Sequence, residues 1–336
     1  MTFFASQNGE LAGNRLRDLP FMDLYVRIDK EGKGTARYRT PGRDVSNNWS
    51  RILPMQYLSE SLIVADELLK NIENPDSSYT YDGMRFRQSY QKLANNQEWV
   101  ILRRINERVP TLEDLSVSPN LAKTLRRLGR RDGLVLISGP TGHGKTTMSF
   151  ALIADYLRQF GGVAITVEDP VEYVLDGPVG EHGYCYQVQV EDEDWAVPLK
   201  RALRWTPRFL LVGEVRSPRA AEQILRAATT GHLVVTTIHA GSVEESFMGL
   251  LHLAEQAIGG AANYMLAQGL TAAWHQTLSV TGPYLRYVFT EENNNGDPVR
   301  SLIRENKIGM INSYIDKQIA RMNVSEGVDP VSGRKV

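Results

Sequence analysis

Residues 139–146 read Gly139-Pro140-Thr141-Gly142-His143-Gly144-Lys145-Thr146. This stretch fits the pattern G-x-x-x-x-G-K-[ST] of a phosphate-binding loop, or P-loop. A short apolar run at residues 134–137 precedes it, and residues 147–160 follow with apolar side chains at helical spacing. Strand, glycine loop and helix come in the order that the motif requires, so we predict a phosphate site in an α/β domain rather than an ordinary glycine-rich turn.

The residue types of this loop have a chemical reason. Glycines let backbone N–H groups approach phosphate oxygens without a Cβ clash, and the N-terminus of the following helix adds partial positive charge. We expect Lys145 to reach the β- and γ-phosphates of ATP and the Thr146 hydroxyl to ligate Mg²⁺. The residues predicted to contact the nucleotide are Gly139, Pro140, Thr141, Gly142, His143, Gly144, Lys145, Thr146 and Thr147, although His143 occupies a free position of the motif and has no predicted chemical role of its own.

Similar apolar runs recur at residues 163–165, 209–212 and 233–235. Strands without a polar face are covered on both sides, as in a parallel α/β sheet. Helical patterns lie between these runs. We therefore predict an α/β domain that begins near residue 117 and includes a C-terminal helical part up to residue 336.

The first third of the chain has a different pattern. Residues 22–39 contain an alternating strand pattern with a turn signal at residues 31–34, and residues 51–71 show helical spacing. Further strand patterns precede residue 106. We predict a small α+β domain at residues 1–108, followed by a linker at residues 109–116.

The run at residues 209–212 leads into Gly213 and Glu214 and has the character of a Walker B strand. Gly213 stands where an aspartate would hold Mg²⁺, so Glu214 is the acidic group that remains at the strand end. A carboxylate in that position is suited to polarise an attacking water molecule. We predict that Glu214 is catalytic. Either another segment supplies an acidic metal ligand, or Mg²⁺ is held mostly through water.

That segment is an acidic run after the strand pattern at residues 163–167. It contains Glu168, Asp169 and Glu172, three carboxylates within five residues. Beside a P-loop we expect Glu168 and Asp169 to hold the metal together with Thr146, and Glu168 to take part in catalysis. The alternative is a plain acidic loop.

His239 follows the strand pattern that starts at Leu233. The C-terminal ends of strands are where α/β sheets bind ligands, so His239 is placed to sense the γ-phosphate. A purely structural role is the alternative. His232 lies at the other end of the same strand, which argues against a metal site shared by the two histidines.

Residues 121–131 predict a basic amphipathic helix, whose cationic residues are Lys123, Arg126, Arg127, Arg130 and Arg131. A solvated helix face explains them most simply. Contact with nucleic acid or acidic lipid is the alternative.

Composition excludes several classes of protein. The 336 residues include 38 Lys and Arg and 39 Asp and Glu, and the net charge of −1 gives no global signature of nucleic-acid binding. Cys185 is the only cysteine, which excludes an intramolecular disulfide and a cysteine-rich metal site and fits a reducing compartment. The weakly polar residues 250–274 contain Glu and Gln, so we expect a helix buried in protein rather than in lipid.

Four segments stand in one order: GPTGHGKTT, ITVEDPVEY, LLVGEVRS and TTGHLVVTTIHAGS. Together they resemble the Walker A, Asp box, atypical Walker B and His box motifs of the type II/type IV secretion ATPase superfamily. Residues 109–115 are similar to the interdomain linker of that family. Residues 300–305 read RSLIRE and resemble the core of a motif found in pilus-retraction motors.

The resemblance implies a PAS-like N-terminal domain, a RecA-like P-loop ATPase domain and a homohexameric ring with nucleotide between the domains. It also implies arginine fingers from the N-terminal domain, which match Arg85 and Arg87, and the following strand offers Arg103 and Arg104. Their role would be charge neutralisation on the γ-phosphoryl group. Arg216 matches an arginine of the family's Walker B segment.

The sequence departs from the family where Thr206-Pro207-Arg208 replaces Asp-Pro-Asp and where Pro298-Val299 replaces an Ala-Ile pair. The branch is therefore open between a pilus-retraction motor and an ATPase of a conjugation or Dot/Icm-like secretion system. We expect a cytoplasmic Mg²⁺-dependent ATPase that is peripherally associated with the inner membrane, where a pilus or secretion platform protein binds it, without a transmembrane segment and without direct nucleic-acid binding. A nucleic-acid translocase and a nucleotide-binding scaffold are the alternatives.

Overall fold

The computed structural model describes residues 15–28, 34–40, 49–70, 76–105, 108–190, 195–279, 282–291 and 296–324. The chain divides into two compact units, Met1–Glu107 and Arg108–Val336.

The first unit contains a six-stranded antiparallel sheet with the strand order β3-β2-β1-β6-β5-β4. Its elements are β1 (Asp23–Ile28), β2 (Gly34–Arg39), β3 (Arg51–Ile52), α1 (Met55–Lys70), β4 (Asp76–Tyr81), β5 (Met84–Lys92) and β6 (Glu98–Arg104).

Buried and more exposed side chains alternate along these strands, so one face of the sheet is buried. Leu24 and Val26 of β1 and Phe86 of β5 are buried against the apolar face of α1. The predicted strands and helix of this unit are confirmed, although most of the predicted turn at residues 31–34 lies outside the described residues. The α+β character follows from these elements, and the PAS-like identity stays a prediction.

The second unit contains an eight-stranded sheet with the order β14-β13-β7-β12-β11-β8-β10-β9. Its strands are β7 (Gly133–Ser138), β8 (Gly162–Glu168), β9 (Gly177–Val179), β10 (Gly183–Gln189), β11 (Phe209–Val212), β12 (Leu233–Ile238), β13 (Leu270–Ser279) and β14 (Gly282–Phe289). The six inner strands are parallel, and β9 and β14 run antiparallel at the two edges.

Helices cover both faces of this sheet, as the apolar strand runs predicted. They are α2 (Pro119–Leu128), α3 (Lys145–Phe160), α4 (Ala196–Leu203), α5 (Pro218–Ala228), α6 (Val243–Ile258), α7 (Ala261–Gly269), α8 (Pro298–Arg304) and α9 (Asn312–Val324). Successive residues of β7 enter opposite core layers: Leu134 and Leu136 pack into one, and Val135 and Ile137 into the other.

The prediction of one buried helix at residues 250–274 is wrong. Helix α6 ends before Gly259, which has φ +58°, and α7 follows before β13 begins at Leu270. The reason is that two consecutive glycines break the helix, while the apolar residues after 269 are buried inside the sheet, where a helical period is unnecessary. In the part of the chain that the structure describes, no helix has the length and apolar character needed to cross a membrane.

The predicted linker packs into the second unit. Val109 and Leu112 are buried in its core, and Thr111 and Asp114 exchange two hydrogen bonds of 2.9 and 3.1 Å. The basic helix predicted at residues 121–131 is α2, which ends three residues earlier, at Leu128. The backbone N–H groups of residues 129–131 bond to carbonyl oxygens three residues back, so tight turns replace the α-helix there.

Candidate functional site

The topology brings the predicted motifs together at the C-terminal ends of the parallel strands in the second unit's sheet. Strands β7, β12, β11 and β8 are parallel neighbours, so their C-terminal ends lie side by side. The P-loop follows β7, His239 follows β12, Glu214 follows β11, and Glu168 ends β8. This is the edge at which open α/β sheets bind ligands.

The backbone of the P-loop requires glycine at several positions. Gly139, Gly142 and Gly144 have φ of +149°, +78° and +77°, which disfavours any side chain. A Cβ on Gly139 would also lie 2.3 Å from the carbonyl oxygen of Gln276. Helix α3 begins at Lys145, directly after the loop, so its free N–H groups face the cradle. The loop geometry therefore fits the binding of nucleotide phosphates.

Lys145 is only 7% exposed. Its Nζ donates hydrogen bonds to the carbonyl oxygens of Gly139 at 2.8 Å and Pro140 at 3.0 Å. Burial lowers the pKa of this ammonium group, while the negative charges of Glu214 and Glu172 act in the opposite direction. The lysine cation is thus held inside the phosphate loop with two carboxylates as its electrostatic counterparts.

His239 connects Lys145 to Glu214. Its Nδ1 lies 3.5 Å from Lys145 Nζ, and its Nε2 lies 3.3 Å from Glu214 Oε1. Because the ammonium group can only donate, Nδ1 is the acceptor and Nε2 carries the hydrogen that points to the carboxylate. The structure brings the predicted lysine, histidine and glutamate together in one chain of polar contacts.

Arg216 holds the other oxygen of Glu214. The guanidinium donates to Glu214 Oε2 at 2.8 Å, so the carboxylate is fixed between an arginine and a histidine. The strand end itself is anchored by Thr237, whose hydroxyl donates to the carbonyl oxygen of Gly213 at 2.6 Å. Such fixing keeps Glu214 in one orientation at the sheet edge, as a general base requires.

Glu168 is buried at the end of β8 and has three donors. The Thr166 hydroxyl and Gln187 Nε2 donate to Oε1 at 2.6 and 3.0 Å, and the backbone N–H of Glu172 donates to Oε2 at 3.3 Å. Burial raises the pKa of this carboxyl group to about 7, and the three hydrogen bonds oppose that shift. Its contacts fasten the acidic loop to the sheet, and Asp169 next to it is exposed.

We predict a pH dependence of stability that belongs to Glu168. Its pKa is about 7 in the folded chain, against an ordinary value of 4.5 for a glutamate in water, so the folded state binds the proton more tightly. The free energy of unfolding should therefore fall as pH rises from about 4.5 to about 7, by up to about 1.4 kcal/mol per pH unit from this group. Denaturant unfolding of the wild type and Glu168→Gln across this window measures the difference, and parallel curves would contradict the prediction.

The fit of a magnesium ion depends on the oxygen donors available. Among the described residues, no group of three His, Cys, Asp or Glu side chains is arranged to hold a metal. Magnesium keeps several waters and is often bound through few protein oxygens together with substrate phosphates. The Thr146 hydroxyl, half-buried in the first turn of α3, fits such a site, whereas Glu168 is engaged by the three donors described above.

Strand β13 tethers the P-loop, a contact that the sequence analysis missed. Gln276 Nε2 donates to the carbonyl oxygen of His143 at 2.7 Å, and the backbone N–H of Leu278 donates to His143 Nδ1 at 3.0 Å. His143 therefore attaches the loop to the sheet, although its motif position is free. Gln276 lies in the polar second half of β13, between His275 and Thr277, so the sequence carries no signal that singles out this contact.

We predict that Gln276→Leu loosens the P-loop without unfolding the chain. The variant keeps a similar side-chain shape and loses one neutral hydrogen bond, which is worth about 1 kcal/mol. The Kd for ATP should rise about fivefold, with little change in the rate at saturating ATP. The matched control is Gln256→Leu, because Gln256 also donates to a backbone carbonyl but does so on α6. Equal effects of the two substitutions would contradict the prediction.

Thr147 also has a partner in the acidic segment. Its Oγ1 lies 2.8 Å from the hydroxyl of Tyr173, which itself stacks at an angle on Phe150 with ring centroids 5.1 Å apart. The contact joins the start of α3 to the loop after β8. The remaining nucleotide-contact prediction, Thr141, lies at an exposed position of the loop.

The arginine-finger candidates lie on β5 and β6 of the first unit. Arg87 stands opposite Arg103, and Arg85 shares their face of the sheet, whereas Arg104 stands opposite Phe86 on the other face. Arg103 Nε donates to the buried carboxylate of Asp23 at 2.7 Å. Arg104 lies over the ring of Phe21 with its Cζ 5.9 Å from the centroid. The structure therefore separates these four arginines into two faces.

Comparison with known proteins gives a consistent result. The family model described as type II/IV secretion system protein matches residues 78–294. The type IV pilus retraction ATPase PilT of Pseudomonas aeruginosa is 31% identical over 264 residues, which cover 75% of this chain and 73% of that protein. A crystal structure of the pilus retraction motor PilT with bound ADP has a TM-score of 0.67 and 27% identity, and the match covers 89% of this chain and 87% of that one.

Other relatives match over a smaller part of their length. The type IV pilus ATPase PilU of Pseudomonas aeruginosa is 35% identical over 174 residues, which cover 50% of this chain and 43% of PilU. The matches to the type II secretion system protein HxcR of Pseudomonas aeruginosa and to a twitching motility protein of Neisseria gonorrhoeae cover 52% and 57% of those proteins. The chain thus spans about half the length of these curated relatives.

Proposed function

This chain belongs to the type II/IV secretion system protein family, and we propose that it is a hexameric ATPase motor that powers a type IV pilus or a type IV secretion or conjugation system. One observation carries the proposal. His239 contacts Lys145 through one ring nitrogen and Glu214 through the other, beside the P-loop at the C-terminal ends of the parallel strands. Nucleotide hydrolysis needs a cation for the phosphates and a group that positions or deprotonates water, and in this chain an imidazole lies between the two.

The proposed reaction is the hydrolysis of ATP to ADP and phosphate. The oxygen of a water molecule bonds to the γ-phosphorus while the bond from that phosphorus to the β,γ-bridging oxygen breaks. Glu214 accepts a proton from the water, and Arg216 and His239 hold the carboxylate in place. Lys145 and the backbone N–H groups of the P-loop stabilise the negative charge on the phosphate oxygens.

We propose Mg²⁺ as the cofactor, with the Thr146 hydroxyl as the protein ligand and waters and phosphates as the others. When bound, the ion would neutralise charge on the β- and γ-phosphates. The further ligand roles predicted for Glu168 and Asp169 stay a proposal. They require an oxygen of Glu168 to exchange one of its hydrogen bonds for the ion.

Arginine fingers would complete the site across a subunit boundary. We propose that Arg85, Arg87 and Arg103, which share one sheet face, approach the γ-phosphoryl group of a neighbouring chain in the ring. Arg104 lies on the opposite face beside Phe86 and is the weaker candidate. The proposal rests on the positive charge that these side chains would add to the transition state.

Two similarities support a pilus branch: PilT is a type IV pilus retraction ATPase that this chain matches over 73% of PilT's length, and PilU is a type IV pilus ATPase. We propose retraction as the work of the motor, in the cytoplasm at the inner membrane, with a platform protein of the pilus or secretion machine as partner. Service in a conjugation or Dot/Icm-like system is the second possibility for the same catalytic core.

The testing experiment measures ATP hydrolysis per chain over a range of protein concentrations, with the particle mass determined on the same samples. We expect the activity of each chain to rise as hexamers form and to require Mg²⁺. Equal activity in monomers and hexamers would contradict catalysis across subunits. A complete lack of hydrolysis with intact nucleotide binding would favour the scaffold, and steeply salt-dependent DNA binding would favour the translocase.

A further inference from the structure

The acidic segment, residues 168–176, is held to the sheet by a side chain that lies outside the four sequence motifs. This side chain is Gln187 on β10, the parallel neighbour of β8. Its Nε2 donates hydrogen bonds to Glu168 Oε1 at 3.0 Å and to the carbonyl oxygen of Tyr173 at 2.9 Å. The amide group thus binds the segment at two points that are five residues apart.

The oxygen of the same amide binds the end of the acidic segment. Gln187 Oε1 accepts hydrogen bonds from the backbone N–H groups of Leu175 at 2.8 Å and Asp176 at 2.9 Å. The backbone N–H of Gln187 also donates to Asp176 Oδ1 at 3.0 Å. Because an amide has two hydrogens and two lone pairs, every hydrogen-bonding position of this side chain is used within one segment.

This set of partners specifies glutamine at position 187. A glutamate can accept from the two N–H groups but cannot donate, a lysine can only donate, and an asparagine is shorter by one methylene group. A reversed amide would place its NH₂ group against the N–H groups of Leu175 and Asp176, so the partners also fix its orientation. The side chain therefore sets the conformation of the segment.

The acidic segment in turn contacts the helix that carries the P-loop threonines. The hydroxyl of Tyr173, whose carbonyl oxygen Gln187 holds, lies 2.8 Å from Thr147 Oγ1 in the first turn of α3. The charge of Glu172 favours the ammonium form of Lys145, against the burial that lowers the pKa of that group. The contacts of Gln187 thus reach the candidate nucleotide site through one intervening residue.

We propose that Gln187 is a positioning residue for ATP hydrolysis, which acts by holding the acidic segment beside the start of α3. The inference rests on the proposed function and adds to it a residue from a strand that carries no motif. Gln187 acts through its neighbours, because its hydrogen bonds go to the segment. The carboxylates of the segment would act at the phosphates, where a displacement of about 1 Å can cost about a hundredfold in rate.

The test measures ATP hydrolysis and ADP binding for the 336-residue chain and for two variants, Gln187→Leu and Gln187→Glu. Leucine has a similar shape and makes none of the four side-chain bonds. Glutamate can keep the two bonds from backbone N–H groups, so it carries the test if Gln187→Leu fails to fold. We expect kcat per folded chain to fall at least about tenfold in both variants. The Kd for ADP should change less than about threefold, because the P-loop itself holds the diphosphate.

Gln318→Leu is the matched control. Gln318 on α9 is 5% exposed, and its amide binds the backbone N–H and the carbonyl oxygen of Phe289 on β14, at 2.8 and 2.9 Å. Its loss removes buried amide bonds far along the chain from the acidic segment, so stability should fall and kcat per folded chain should stay unchanged. An equal loss of kcat in Gln318→Leu and Gln187→Leu would overturn the proposal, because general loosening of the fold would then explain both.

Hydrogen exchange with ADP bound gives a second readout that needs no turnover. Gln187→Leu should speed exchange in residues 168–176 and also in residues 147–152 of α3, since Tyr173 links the two, whereas Gln318→Leu should change neither. The proposal is overturned if exchange in α3 stays unchanged, or if both Gln187 variants keep a kcat within about threefold of the wild type. A wild type that hydrolyses no ATP contradicts the proposed function, and the exchange rates in α3 then decide the role of Gln187 separately.

Discussion

Lys145→Ala is expected to abolish nucleotide binding while leaving the chain folded. The ammonium group is the cation that the P-loop encloses, and its Nζ is held by the carbonyl oxygens of Gly139 and Pro140, within the loop that would receive the phosphates. A hydrogen bond to a charged group contributes about 1.5–3 kcal/mol, and the lysine is positioned to make more than one with the β- and γ-phosphates. The Kd for ATP should therefore rise by at least about two orders of magnitude.

The fold should survive this change. Burial already disfavours the charged form of Lys145, so replacing it by alanine removes a costly buried charge together with the two hydrogen bonds. Calorimetry with ADP and with ATP measures the affinity, and circular dichroism follows the fold. Lys123→Ala is the matched control, because Lys123 is an exposed lysine on α2. Unchanged ATP affinity in Lys145→Ala would refute the assignment.

Glu214→Gln should bind ATP with nearly normal affinity and hydrolyse it at least about a hundredfold more slowly. The amide keeps the size of the carboxylate and can still accept a hydrogen bond from Arg216 or His239. It cannot take a proton from water, and loss of an acid–base group costs typically two to four orders of magnitude in rate. The change should thus appear in kcat rather than in binding.

Steady-state phosphate release and nucleotide titration on the same samples separate these two quantities. Glu181→Gln is the matched control, since Glu181 is an exposed glutamate with 88% of its side chain accessible and lies on the turn before β10. Turnover near that of the wild type would remove Glu214 from its catalytic role. A parallel loss of ATP affinity would instead mean that the carboxylate mainly holds Lys145 and His239 in place.

The strands of the P-loop domain could be predicted because their signal is local. Residues 134–137, 209–212 and 233–235 are short apolar runs, and burial on both faces requires such runs whatever the rest of the chain does. The prediction of one helix at residues 250–274 was wrong because a local apolar signal does not distinguish a buried strand from a buried helix. An apolar segment without a clear period fits a buried strand as well as a buried helix, and only the position of β13 beside β7 decides between them.

The candidate catalytic residues could be predicted one by one from the sequence, but the contacts between them could not. Glu214 and His239 each follow a strand, which the sequence shows. That His239 lies between Lys145 and Glu214 depends on β12 pairing with both β7 and β11. The tether from Gln276 to His143 spans 133 residues of sequence and has no local period that would reveal it.

The sequence by itself determined that this chain contains a P-loop, which strand precedes it, and which side chains stand at the ends of the neighbouring strands. These are properties of short segments, because glycine conformation, strand burial and helix spacing depend on a few adjacent residues. Only the tertiary structure decided which ends meet. It brought Lys145, His239 and Glu214 together at the C-terminal ends of the parallel strands and placed Arg131 beside Arg300 near the opposite ends. The physical reason is that charge, proton transfer and anion binding act over a few ångströms of space, and strand pairing sets those distances across more than a hundred residues of chain.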